Sequence, residues 1–442
     1  MNSSTGTWQE QYRRKLFSAE EVAAHVRDGD RICLGGGDTI PRAFVHEMLM
    51  RAENLNMRRL YLMVGFTQGK EEFMEEKYDD MLRMESIFIG SPPEREAARR
   101  GSTSYVPTNL GNIREWLDTH NPRIVAIGVS PPNEDGYMSR STFGGLCHRS
   151  IIENAEIVIA EVNNVLPNLG GPDLKLHVSE VDYILEDNHP LGWITDIPTT
   201  EKEQQIGAYI ADFVPNGATI QLGFGGLSTA VGFFLKDKKD LGVHSEVIGT
   251  SIVDLMKCGA INNSKKTYMP GKSVGCFSPG NASVIEYLHN NEDFFFTEIG
   301  NINDPNIIAR NNAMISINNT LMIDLTGQAN SEALGKVQYS GSGGQLQFVI
   351  GSQMSPGGVS ILALNSTYID KQGRLQSKIV PEMPAGSVIT TPRTFVDVVV
   401  TEYGAVKLKY ISADQRMKAL ISIAHPDFRD ELRFYVRQWG RR

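Results

Sequence analysis

Short apolar runs that end in glycine-rich turns, each followed by a segment of helical period, recur along the chain. The clearest two are "DGDRICLGGGDTIPRAFVHEML" at 28–49 and "PNGATIQLGFGGLSTAVGFFL" at 215–235. Each reads as turn, strand, glycine turn and amphipathic helix. They agree at Gly29 and Gly217, Ile32 and Ile220, Leu34 and Leu222, Gly35 and Gly223, and Gly37 and Gly225, always 188 positions apart. Two weaker pairs follow in the same order: "RIVAIGV" before Gly136 against "VSILAL" before Gly373, and "AEIVIAEVN" with Glu161 against "VDVVVTEYG" with Glu402. Repetition in a fixed order predicts a duplicated α/β unit. Strands that alternate with helices predict mostly parallel sheets covered on both faces. The polar, proline-punctuated stretch between Pro190 and Gln205 marks the boundary, giving an expected N-terminal domain over 1–200 and a C-terminal domain over 201–442.

One charged residue breaks this pattern. In "DLGVHSEVIGTSIVDL", 240–255, Glu246 sits in a run that otherwise reads as a buried strand, with Val243, Val247 and Ile248 around it. A carboxylate among apolar neighbours loses several kcal/mol of hydration unless it is paired, hydrogen-bonded or protonated. If the run is the strand after the helix "TAVGFFLK", Glu246 lies toward its carboxyl end, beside the "LGFGG" turn. Ligands of parallel α/β sheets gather at that edge.

Composition narrows the chemistry. The chain has 442 residues, 41% hydrophobic and 21% charged, with a formal net charge of -9. That balance argues against a broad nucleic-acid or anionic-membrane footprint. Cys33, Cys147, Cys258 and Cys276 form no CxxC pair, so neither a metal framework nor a disulfide scaffold is expected. The amino terminus lacks the apolar core of a signal peptide, and nowhere do eighteen apolar residues run together. A cytoplasmic protein is expected.

Several local motifs have simpler readings beside the functional one. "GKSVG", 271–275, has the spacing of a nucleophilic serine elbow, but Pro270 precedes it where that elbow needs a strand. "GFGGLS" is a dinucleotide fingerprint with Ser228 in place of the third glycine, although its N–H groups at a helix start suit a phosphate or an oxyanion. "YSGSGGQLQF", 339–348, is a second turn rich in backbone donors. His244 alternates onto the face of Glu246 if the segment is extended, as a positioning group or as an ordinary structural histidine.

Together, "SPPNEDGYMS", "IAEVN", "HVSEVDYILEDNHPL", "QLGFGGLSTAV", "DLGVHSEV", "NNAMISINNTLMIDLTGQ", "GSGGQLQF", "TTPRTFVDVVVTEYG" and "LISIAHPDFRDEL" resemble the acetyl-CoA hydrolase/transferase family of class I CoA-transferases. The resemblance is strongest to the branch of 4-hydroxybutyrate and butyrate:acetate CoA-transferases. It implies a CoA-transferase (NagB/RpiA-like) fold, a homodimer or higher homo-oligomer, no tightly bound cofactor, and acyl-CoA and short-chain carboxylic acids as substrates. It also implies that Glu246 is the nucleophile, and that Gly223, Phe224, Gly225, Gly226, Leu227, Gly341, Gly343, Gly344 and Lys371 contact CoA. His244 and Glu402 become supporting residues. The sequence departs from its relatives at Gly249–Ser251, "GTS" where "SDG" is usual, and at Gln347, where aspartate is usual. Two other readings stay open: an acyl-CoA hydrolase using the same glutamate, and a non-catalytic sensor of small ligands.

Overall fold

A computed structural model describes residues 6–192 and 198–439. The chain forms two compact units, Met1–Ile194 with Val274–Ile302, and Thr195–Ser273 with Asn303–Arg442. The first unit contains strands β1 (Arg31–Leu34), β2 (Leu60–Val64), β3 (Leu82–Ser86), β4 (Thr103–Tyr105), β5 (Ile124–Val129), β6 (Ile157–Val162) and β7 (Tyr183–Glu186), with helix α1 (Arg42–Asn54) after β1. These strands form one sheet in the order β4-β3-β2-β1-β5-β6-β7, parallel throughout. All six residues of β5 and all six of β6 are buried. Such near-continuous apolar runs, interrupted in β6 only by Glu161, are what a parallel strand needs when both faces are covered. Helix α1 lays Phe44, Val45, Met48, Leu49 and Ala52 onto that sheet, each large side chain contributing roughly 1.5–3 kcal/mol by burial.

The second unit repeats the plan with β8 (Thr219–Leu222), α2 (Gly226–Phe234), β9 (Gly242–Val243), α3 (Thr250–Lys257), β10 (Met314–Asn319), α4 (Gln345–Met354), β11 (Val359–Ala363), β12 (Val398–Thr401) and β13 (Gly404–Lys407). The sheet order is β9-β8-β10-β11-β12-β13. All neighbours are parallel except β12 and β13. The α/β class and mostly parallel sheets therefore agree with the sequence reading.

Two details of that reading change. By sheet position the partner beside β1 is β5 and the partner beside β8 is β10, so "RIVAIGV" corresponds to Met314–Asn319 rather than to "VSILAL". The weaker pairs are therefore one strand out of step, because buried parallel strands all carry similar short apolar runs. The single cut near residue 200 also misses a return of the chain, for Val274–Ile302 packs with the first unit. There Phe296 N–H donates to Gly170 O at 2.8 Å. Any Cβ on Gly171 would lie 1.9 Å from Phe296 O, so only glycine allows this approach. Arg140, 0% exposed, is paired with Glu298 at 3.0 Å. Burial alone would raise the Glu298 carboxyl, but His148 at 2.7 Å and Arg140 outweigh it and hold the group below its ordinary value.

Candidate active site

The ladder from β9 to β8 ends at Val243, paired with Ile220, so Glu246 lies in the loop beyond the strand and not within it. The expected geography at the carboxyl end of the sheet is kept. Four hydrogen bonds brace this loop. Val243 N–H donates to Asn263 Oδ1 at 3.0 Å, and the buried Lys266 ammonium donates to Val243 O at 2.6 Å and to Lys272 O at 2.7 Å. Ser245 Oγ donates to Leu222 O at 2.9 Å, tying the loop to the last residue of β8 and hence to the glycine turn. Burial without a carboxylate partner lowers the Lys266 pKa to about 7.

Glu246 is partly buried, and its carboxylate meets two donors. Asn303 Nδ2 donates to Oε1 at 2.6 Å, and the backbone N–H of Gly344 bonds the same carboxylate at the start of α4. A helix N-terminus carries partial positive charge and so favours an anion there. Gly344 is required by this approach: a Cβ would stand 2.1 Å from Glu246 Oε1 and 2.2 Å from Asn303 Nδ2. Asn303 also reaches Gln347 Oε1, at 3.4 Å, so the glutamine that replaces the usual aspartate touches the group holding Glu246. Burial wins over both donors and raises the Glu246 pKa to about 7. Near neutrality the group is divided between a basic carboxylate and a neutral acid, which suits a nucleophile that later becomes an acylated carbonyl.

The other sequence candidates fall into two sets. Gly344, Gly343 (φ +56) and Gly341 form the turn that delivers α4 to Glu246. Gly223–Leu227 form the turn from β8 into α2, with Gly225 at φ +99 and Phe224 39% exposed. Lys371 is exposed in the tight turn closed by Asp370 and Arg374. Glu402 is buried and accepts from Ser366 N at 2.7 Å and Ser366 Oγ at 2.8 Å, with Lys202 at 3.4 Å, so these bonds hold the loop after β11. His244 packs its ring against Tyr268 and Phe348. Ser273 is buried and bonded to Asn263 at 3.0 Å, as a structural hydroxyl. Asn303 and Lys266 escaped the sequence reading. Neither sits in a motif, and Asn303 lies 57 positions from its partner.

Comparison with known proteins adds the context. Residues 1–194 match the profile of the acetyl-CoA hydrolase/transferase N-terminal domain, and residues 280–436 that of the C-terminal domain. The 4-hydroxybutyrate coenzyme A transferase of Clostridium kluyveri is 36% identical over 427 residues, covering 96% of this chain and 98% of the relative. The butyryl-CoA:acetate CoA-transferase of Anaerostipes caccae is 34% identical over 442 residues, covering 96% of each chain. Among solved structures, RipA from Yersinia pestis superposes with a TM-score of 0.91 at 34% identity, over 98% of this chain and 100% of that one. A 4-hydroxybutyrate CoA-transferase from Porphyromonas gingivalis superposes with a TM-score of 0.80 at 30% identity, over 98% of this chain and 100% of that one. Among the described residues, no helix is long and apolar enough to cross a membrane.

Proposed function

Because the chain belongs to the acetyl-CoA hydrolase/transferase family, we propose that it moves CoA between a short-chain acyl-CoA and a carboxylic acid by a ping-pong route through Glu246. The observation that carries this reading is a glutamate whose carboxyl is raised to about 7 and gripped by Asn303 and the Gly344 N–H. A Glu246 oxygen attacks the thioester carbonyl, and the C–S bond breaks to give an acyl-glutamyl anhydride and CoA thiolate. The thiolate then attacks the glutamyl carbonyl and expels the acyl group as its carboxylate, leaving a glutamyl-CoA thioester. An acceptor carboxylate reverses the two steps.

Negative charge develops on the glutamyl oxygen when thiolate attacks. Asn303 Nδ2 and the Gly344 N–H already meet the Glu246 carboxylate, so they are placed to stabilise that charge without reorganisation. The turns Gly223–Leu227 and Gly341–Gly344 supply backbone donors for CoA, and Lys371 an exposed cation for its phosphates. His244 and Glu402 act through packing and loop placement. Acetate, butyrate and 4-hydroxybutyrate are the acids proposed, CoA enters only as substrate, and a homodimer is the assembly expected in sedimentation.

The reading is tested by trapping. Incubation with butyryl-CoA and no acceptor leaves CoA on Glu246, borohydride reduces the thioester to an alcohol, and peptide mass spectrometry finds it within 240–255. Glu246→Gln folds normally and abolishes exchange, since an amide of near-equal volume is a far poorer nucleophile. An adduct on Ser273 or a cysteine, or full exchange in the Gln variant, overturns the assignment. Acceptor-independent release of free CoA at the exchange rate supports the hydrolase instead.

A further inference from the structure

A second group of titratable side chains, in the first unit, takes no part in the proposed transfer. Glu161 is the fifth residue of β6, and Asp187 and His189 follow β7. The parallel register sets Val162 against Glu186, and Asp187 N–H donates to Val162 O at 3.1 Å, so the two chain segments run out of the sheet side by side. Asn163 Nδ2 closes the turn on His189 O at 2.9 Å. One oxygen of each carboxylate and one ring nitrogen of His189 consequently lie within 4.8 Å of one another.

Two buried atoms in this group lack partners. Glu161 is 1% exposed; its Oε2 accepts the Phe44 N–H at 3.0 Å in the first turn of α1, while Oε1 has no hydrogen-bond partner. His189 Nδ1 lies 2.9 Å from Asp187 Oδ2, and its Nε2 is likewise buried without a partner. Leaving such atoms unsatisfied is costly, and the shortfall here joins an acid to an imidazole beside a second acid. That is the composition of a cation site, and bonds of about 2.1 Å place neighbouring ligand atoms roughly 3.0–3.5 Å apart around an ion. A spread of up to 4.8 Å closes to that with side-chain movements of about 1 Å.

We propose that Glu161, Asp187 and His189 bind one divalent cation of the borderline class, such as Mn²⁺ or Zn²⁺, clamping the ends of β6 and β7 to the first turn of α1. Two oxygens and one nitrogen suit these ions better than Ca²⁺ or Mg²⁺, which prefer oxygen alone. The ion neutralises the two carboxylates and satisfies both unpartnered atoms at once. This assignment does not depend on the transfer reaction.

The test is titration of MnCl₂ or ZnCl₂ into the full chain after chelator treatment and dialysis, read by calorimetry and, for Mn²⁺, by water-proton relaxation. One ion per chain is expected, with a thermal midpoint that rises with metal concentration. Glu161→Gln and His189→Gln each weaken binding by roughly 100-fold. Uptake by the unaltered chain, with its stoichiometry and its rise in thermal midpoint, stands as a readout even if the variants fold poorly. Failure of the unaltered chain to take up either ion at millimolar concentration, or unchanged binding in a well-folded Glu161→Gln, overturns the proposal.

Discussion

Replacing Gly344 by alanine adds a single methyl group within 2.1 Å of Glu246 Oε1 and 2.2 Å of Asn303 Nδ2. Gly344 has φ -97, open to any residue, so the backbone tolerates the change and the effect is steric. Contacts below 3.0 Å are not adopted by real Cβ atoms, so the carboxylate and the amide must retreat by about 1 Å. A displacement of that size spoils a near-attack geometry, and about 100-fold in rate, or ~2.7 kcal/mol of barrier, is the expected loss. Stability should fall by about 1–3 kcal/mol, as in other overpacked sites. The assay is initial-rate exchange between butyryl-CoA and acetate, run beside thermal unfolding. Gly259→Ala is the control. It lies in the same unit at φ +82 with nothing within 4 Å of its Cβ, so it carries about 1–2 kcal/mol of backbone strain and no clash. Unchanged exchange in Gly344→Ala, or equal rate losses in the two variants, would refute the reasoning.

Two other outcomes concern pH. In the proposed transfer Glu246 attacks as the carboxylate, and with its pKa raised to about 7, kcat/KM for the acyl-CoA should climb with pH through that midpoint and level off above it. Asn303→Ala removes a donor that favours the carboxylate, so the midpoint moves up and the rate at pH 7 drops; a flat profile, or a downward shift, contradicts this assignment. Lys266 has its folded pKa lowered from 10.5 to about 7, so in that window the unfolded chain binds more protons and stability rises with pH. Denaturant unfolding of Lys266→Met should lose that rise, and should be weaker by about 1–3 kcal/mol because the Val243 and Lys272 carbonyls are left unpaired.

Glu246 was legible because burial of a carboxylate is anomalous in any fold, and the glycine turns because turn chemistry is local. Helix starts were equally plain: Thr200 and Glu203 form a capping box at the head of Glu201–Ala211, where the helical period resumes. Asn303 was not legible, since an asparagine before "DP" reads as ordinary turn chemistry until folding brings it to Glu246. Lys266, in "NSKKT", looks like a solvated charge, and only its tertiary setting buries it. The strand expected through Glu246 ends at Val243, because alternation over six residues fits an extended loop as well as a ladder. The Val274–Ile302 return left no trace in the pattern, for its apolar pieces, such as Phe294–Phe296, are too short to announce where they pack.

The return of Val274–Ile302 to the first unit imposes an order on synthesis. When residue 194 leaves the ribosome, Arg140 has its buried place but not Glu298, and Gly171 has no Phe296 carbonyl to close against. The N-terminal sheet must wait, with this face incomplete, while the chain extends to residue 302. At typical elongation rates that interval is roughly 5–20 s. During it, Arg140 keeps its carbonyl partners Gly144, Cys147 and Asp173 but lacks its carboxylate, so the period of greatest vulnerability to aggregation falls midway through translation rather than after release.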